Sequence, residues 1–486
     1  MNAPLAQAVL SYAAQEILPL HTPGHKGGRG AHPLLRSFFT DIGMSADVSL
    51  TEELDDLHAP TGCIRAAEEL AAQLYGADAA YFMVNGTTGA IHAMLMAALS
   101  PGDTLLVPRN AHRSIVGGLI LTGVRPVYMQ PEIDLRLGIA MGVSLREVQR
   151  AVHAHPEARA ALLIYPTYYG VATELPQIAD FLHAQDMLVL VDGAHGAHFS
   201  FAQDLPPSAM EAGADLSAES THKLLGSLTQ TSVLLARAGG VAPERIRAAS
   251  ALLQTTSPNE VLLASLDAAR LQMAEEGRER LAAAILLAQE LRRKINEIPG
   301  LWSFGGEYMG APGMAALDPT KMTVQVMGLG LTGFAAEHVL RDAHRVACEL
   351  SDARNVLFLL SYADGRREMT RLLAALRNMA GRYAPMCTSR GAETASFLRL
   401  PPLPQTACTP REAYFARSTC VAVECAAGHT AKETIMFYPP GIPVLAPGDV
   451  ISEETLSYLR AMQRLGARVV GPADPSLQTI QVIAEG

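Results

Sequence analysis

Lys223 stands in the run Ser220-Thr221-His222-Lys223, about thirty residues after Asp192-Gly193-Ala194-His195, and the apolar run Met187 to Val191 leads into that aspartate. A lysine amine condenses with an aldehyde, and an aspartate delivered by a buried strand can hold a heterocyclic nitrogen protonated. The pair suggests pyridoxal 5'-phosphate (PLP) as a cofactor. A lone lysine is ordinarily a surface residue, but Ser220 and His222 place a hydroxyl and an imidazole at the same turn. Those groups suit holding a phosphate and assisting proton transfer. His195 reads as support for Asp192, and His198 as structural; neither has the acidic or cysteine neighbours that would complete a metal site, so no metal is expected.

Asn85-Gly86-Thr87-Thr88-Gly89-Ala90 joins an apolar run to a helical pattern. Glycine permits close backbone approach, the threonine hydroxyls donate, and a helix start attracts an anion, so Gly86, Thr87 and Thr88 form a candidate phosphate cradle. Turns of this composition also arise for conformational reasons alone. His112 closes another apolar run, where its ring could stack on a flat cofactor, although a single histidine is more often structural.

These residues need elements that bring them together. Ile64, Ala67, Leu70, Ala71 and Leu74 recur at helical spacing before Gly76, which predicts an amphipathic helix over Thr61 to Leu74. Four apolar runs then end in polar clusters: Ala79 to Val84, Thr104 to Val107, Ala161 to Tyr165 and Met187 to Val191. Continuous apolar runs separated by helix-sized stretches are the pattern of buried parallel strands, whose carboxyl ends line ligand sites in open α/β sheets. A long helix is expected around 262–296, a compact α+β unit over 320–385, and a linker at Leu400-Pro401-Pro402-Leu403-Pro404. The expected organisation is an N-terminal segment (1–60), a large cofactor-binding domain (61–319), a small α+β domain (320–395) and a C-terminal domain (396–486). Prolines in Tyr438-Pro439-Pro440-Gly441-Ile442-Pro443 predict a rigid extended loop.

Of 486 residues, 49% are hydrophobic and 18% charged, enough apolar content for a large core. A net charge of -10 without a basic block argues against a nucleic-acid surface and for a small-molecule partner, mildly favouring a cationic one. The six cysteines show neither CxxC pairs nor zinc-ligand spacing, which fits a reducing cytoplasm. The first residues lack a basic leader and no apolar run reaches membrane-spanning length, so neither export nor membrane insertion is expected.

His21-Thr22-Pro23-Gly24-His25-Lys26, Leu54-Asp55-Asp56-Leu57-His58, Asn85-Gly86-Thr87-Thr88, Arg109-Asn110-Ala111-His112-Arg113-Ser114, Pro166-Thr167-Tyr168-Tyr169-Gly170-Val171, Ser220-Thr221-His222-Lys223 and Tyr438-Pro439-Pro440-Gly441 together resemble the Orn/Lys/Arg decarboxylase family, in order and over nearly the whole chain. Within it the chain looks most like the short arginine decarboxylases of polyamine synthesis. The resemblance implies an α/β, aspartate-aminotransferase-like (fold-type I PLP) architecture, a homodimer with shared sites, and decarboxylation of a basic amino acid. Lysine and ornithine are alternative substrates, and transamination or oxidative deamination alternative reactions. It further implies Lys223 as the Schiff-base lysine, Asp192 as partner of the pyridine nitrogen and His112 as the ring-stacking residue. Thr87, Thr88, Ser220 and His222 would contact phosphate or cofactor, with His195 supporting the ring. One departure stands out: the family pattern reads Asp-Glu-Ala-His-Gly where this chain has Gly193 after Asp192. A basic substrate side chain needs a carboxylate partner, for which Asp55, Asp56 and Glu433 are candidates; acids near helix starts more often serve the helix itself.

Overall fold

The computed structural model describes residues 2–15, 17–49, 51–383, 400–438 and 441–484. The expected 395/396 domain boundary and Pro439-Pro440 of the proline loop lie outside them. The chain forms two compact units: Met1–Ala98, Leu188–Gln203 and Pro207–Glu279 make the first; Leu99–Met187, Asp204–Pro206 and Arg280–Gly486 the second. The segment expected as one large domain, 61–319, thus contributes to both.

The strands that matter for the site are, in chain order, β1 (Ala79–Met83), β2 (Thr104–Pro108), β3 (Arg125–Met129), β4 (Ala160–Ile164), β5 (Leu188–Asp192), β6 (Leu216–Glu219) and β7 (Ser232–Ala236). In the first unit β1, β7, β6 and β5 lie side by side in that order. β5 and β6 run parallel, with Asp192 opposite Ala218, while β7 is antiparallel to both its neighbours. Four of β5's five residues are Leu or Val followed by an aspartate, and all but the first are buried. The strand therefore carries its only charge at its carboxyl end.

The helix Cys63–Tyr75 turns Ile64, Ala67, Ala71 and Ala72 into the core, and Gly76 stops it with φ +67°. That left-handed conformation is one glycine adopts without a Cβ penalty. The helix Gly86–Ala98 follows β1 and is apolar nearly all round, as befits an element buried on several sides. Helical structure runs from Glu260 to Asn296, interrupted only by a π turn at Met273–Gly277.

In the second unit β4, β2 and β3 form a parallel set in that order. Farther along, Lys321–Gln325 and Leu350–Ser351 flank Asn355–Leu359, and the helices Gly333–His344 and Arg366–Tyr383 cover them around Met322, Val324, Val356 and Leu376. The C-terminal region pairs Ser418–Ala422 with Thr479–Ile483 and places Ile435–Phe437 between Ile442–Leu445 and Val469–Val470, around a separate core of Ile435, Leu459 and Ile480. Among the described residues no helix is long and apolar enough to cross a membrane, and no cluster of ligating side chains could hold a metal ion.

Candidate active site

Asp192 is the last residue of β5 and is 5% exposed. Its Oδ1 accepts the N–H of Ala194 at 3.2 Å. Burial pushes this carboxyl above its ordinary value, while the Lys223 charge and the Ala194 N–H pull it back. A buried carboxylate with so few donors is suited to accept one from a cationic heterocycle.

Beyond β6 the chain passes through Ser220 into the single helical turn Thr221–Leu224, which carries His222 and Lys223. Lys223 Nζ lies 3.0 Å from Nε2 of the buried His195, within hydrogen-bonding distance. His222 donates from Nδ1 to the carbonyl of Thr231 at 2.6 Å, which in the neutral ring leaves the lone pair on Nε2. The turns after β5 and β6 therefore bring Asp192, His195 and Lys223 into one constellation.

A hydroxyl cluster lies in the same unit. Thr87 Oγ1 is hydrogen-bonded to Ser220 Oγ and sits 3.1 Å from Ser232 Oγ, which donates to the Glu219 carbonyl at 2.7 Å. Thr87, Ser220 and Ser232 are all buried, whereas Thr88 is exposed. Gly86 enters the helix Gly86–Ala98 with φ +66° and donates its N–H to the Gln230 carbonyl at 2.7 Å. Thr87 and Thr88 then occupy the first turn, whose N–H groups have no intrahelical acceptor. A helix start flanked by buried hydroxyls fits a phosphate, as the buried carboxylate and amine fit a pyridine ring and its aldehyde.

His112 belongs to the second unit, where it caps the helix Arg113–Thr122: Nδ1 accepts from the Ser114 N–H at 3.2 Å and lies 2.8 Å from Ser114 Oγ. Its turn is braced by the proline loop, since Arg113 N–H donates to the Gly441 carbonyl at 3.1 Å.

The three acids considered for substrate are engaged elsewhere. Asp55 accepts N–H groups from Thr61 and Asp56 on Oδ1 and from Gly62 and Ile64 on Oδ2, at 2.7 to 3.1 Å. It caps the helix Cys63–Tyr75. Burial works to raise this carboxyl, but the backbone donors together hold it below its ordinary value. Asp56 Oδ1 accepts from the His58 N–H at 2.8 Å, and Glu433, in the second unit, accepts from the N–H groups of Gln481 and Ala473, both at 2.8 Å.

Glu219 went unnoticed in the sequence. It ends β6 with 4% exposure, next to Ser220. An acid closing a short strand just before the Ser-Thr-His-Lys run was the available signal.

An α/β architecture with a lysine and an aspartate at neighbouring strand ends defines the aspartate-aminotransferase-like class. Ureidoglycine-glyoxylate aminotransferase from Bacillus subtilis shares the fold at a TM-score of 0.52 and 15% identity, covering 68% of this chain and 88% of its own. The chain matches the Orn/Lys/Arg decarboxylase major domain over residues 3–368 and the C-terminal domain of the same enzymes over 392–475, and it belongs to that family. It is 43% identical to an arginine decarboxylase of Halalkalibacterium halodurans over 484 residues, covering 100% of this chain and 98% of the relative. The arginine decarboxylase of Bacillus subtilis is 42% identical with the same coverage. A solved lysine decarboxylase from Francisella novicida superposes at a TM-score of 0.85 with 22% identity, covering 99% of this chain and 81% of its own.

Proposed function

We propose that the protein decarboxylates arginine to agmatine and carbon dioxide, with PLP carried on Lys223. The observation that carries the reading is the Lys223–His195 contact at 3.0 Å in the constellation that includes buried Asp192. Full-length identity of 40–43% to arginine decarboxylases favours arginine over lysine or ornithine.

When bound, the cofactor supplies an aldehyde for an amine and a protonated ring that takes up the electron pair left as carbon dioxide departs. Asp192 would hold the ring nitrogen protonated. Its burial raises the cost of standing alone as an anion, so a cationic N–H is its natural partner. Thr87, Ser220 and the first-turn N–H groups of Thr87 and Thr88 would hold the phosphate. His195 orients the Lys223 amine. Lys223, or His222 beside it, would return a proton to the substrate carbon; the Thr231 carbonyl fixes the His222 ring for that role. His112 as the ring-stacking residue follows the family pattern alone. A homodimer in the cytoplasm completes the proposal, in keeping with cysteines that are all unpaired among the described residues.

The test is release of carbon dioxide and the matching amine from arginine, lysine and ornithine, beside the visible spectrum of the purified protein. Agmatine as main product, and a borohydride-sensitive band that Lys223→Ala lacks, are expected. A keto-acid product, or the same band in the variant, would overturn the reading.

A further inference from the structure

We propose that Glu219 is a positioning residue: a neutral carboxylic acid seated behind Asp192 in the space a side chain at Gly193 would occupy, whose ionisation sets the alkaline limit of the cofactor site. The proposal rests on the reading of Asp192 as partner of the ring nitrogen.

Strand register creates the arrangement. Asp192 pairs with Ala218, and the Gly193 N–H donates to the Ala218 carbonyl at 3.0 Å, carrying the ladder one residue past the strand. Side chains alternate between faces, so Asp192 and Ala218 share one face while Ser217 and Glu219 share the other with position 193. A Cβ at 193 would lie 2.3 Å from Glu219 Oε1 and 2.6 Å from its carboxyl carbon. The carboxyl is thus packed directly over the α-carbon of Gly193, and the two positions form one unit. Where the family pattern carries an acid after the aspartate, this chain brings one in from the adjacent strand.

The seat favours the protonated form. Glu219 Oε1 accepts the Ser217 hydroxyl at 2.6 Å, and Oε2 has no hydrogen-bonding partner among the described residues. Asp192, from β5, acts on it with a negative charge, and Glu219 in turn pushes up the phenol of Tyr75, from the helix Cys63–Tyr75. Burial pushes the acid up to about 8; the Ser217 hydroxyl pulls it back and Asp192 pushes it further. Below that value Asp192 is the only negative charge of the pair. Above it a second anion behind Asp192 makes the local potential more negative and raises the proton affinity of every group in contact with the site, Lys223 included.

Glu219→Gln keeps the shape and fixes the neutral state. In a pH titration of the visible band of the holoenzyme, wild type is expected to show a step near pH 8 that this variant loses, with the two curves coinciding below pH 7. Identical curves throughout would overturn the proposal. Infrared spectra of protein stripped of cofactor supply an independent reading: a protonated-carboxyl band at neutral pH in wild type, lost in Glu219→Gln. Its absence from wild type would equally sink the idea. Gly193→Ala should be destabilising alone and tolerated in a Glu219→Ala background; equal cost in both would contradict the shared seat. Failure of the cofactor reading is distinguishable, because wild type would then lack the borohydride-sensitive band while the infrared and double-variant measurements still report on Glu219.

Discussion

The segment entering the helix Cys63–Tyr75 and the ends of β5 and β6 both hold carboxylates within the first unit, and they satisfy them by different means. Asp55 receives backbone N–H groups on both oxygens and is held below its ordinary value despite burial. Asp192 has one backbone donor and Glu219 one hydroxyl, and burial drives both upward. A carboxylate saturated by backbone has no lone pair to give a ligand and repays its desolvation locally. One left short of donors in the interior is poised to take a proton or a cation from elsewhere, which is how functional carboxyls are built. Glu433, in the second unit, lies between these cases, with one backbone N–H on each oxygen.

The largest test of this contrast is Lys223→Ala. Loss of the amine should lower activity by about 10³-fold or more while leaving the thermal midpoint nearly unchanged. Unaltered turnover would dissolve the functional half of the comparison. Next comes Asp192→Asn, which removes the charge but keeps the shape. Activity should fall roughly 10²-fold, with stability equal or higher because a buried anion is gone. Asp55→Ala should do the reverse, costing about 2 kcal/mol through loss of the helix cap with kcat preserved. A fall in kcat or a changed substrate preference without loss of stability would place Asp55 on the functional side.

Four strand ends were legible because buried parallel strands are continuous apolar runs: β1, β2, β4 and β5 start and stop within a residue of the apolar stretches. Lys223, Asp192 and His195 were legible because their types and order point to one chemistry. β6 was not, since Leu-Ser-Ala-Glu carries too little apolar signal; Ser217 and Glu219 are buried with one hydrogen bond between them. β7 is apolar, but nothing local tells that it runs antiparallel to its neighbours. The backbone donors of Asp55 and Glu433 could not be read from the sequence, because most of them come from six to forty-eight residues away. The seat of Glu219 over Gly193 depends on pairing between strands 26 residues apart, so neither residue alone announces it.

Glu260 offers the smallest and most discriminating test, because it is buried and under-donated like Glu219 yet is not among the residues of the strand-end constellation. It opens the helix Glu260–Gln272, is fully buried, and neither carboxyl oxygen has a hydrogen-bonding partner among the described residues. Burial, helped by the negative charge of Asp55, pushes it up to about 8. A folded value above the unfolded one means that unfolding releases a proton between the two. Its stabilising contribution is therefore complete below about pH 4.5 and is lost as pH rises towards 8, at no more than about 1.4 kcal/mol per pH unit. Glu260→Gln should flatten the decline of the thermal midpoint between pH 6 and 8 without touching the visible band, whereas Glu219→Gln should alter both. If Glu260→Gln also removes the spectral step near pH 8, under-donation alone is enough to tie a carboxyl to the site, and position at a strand end carries no information.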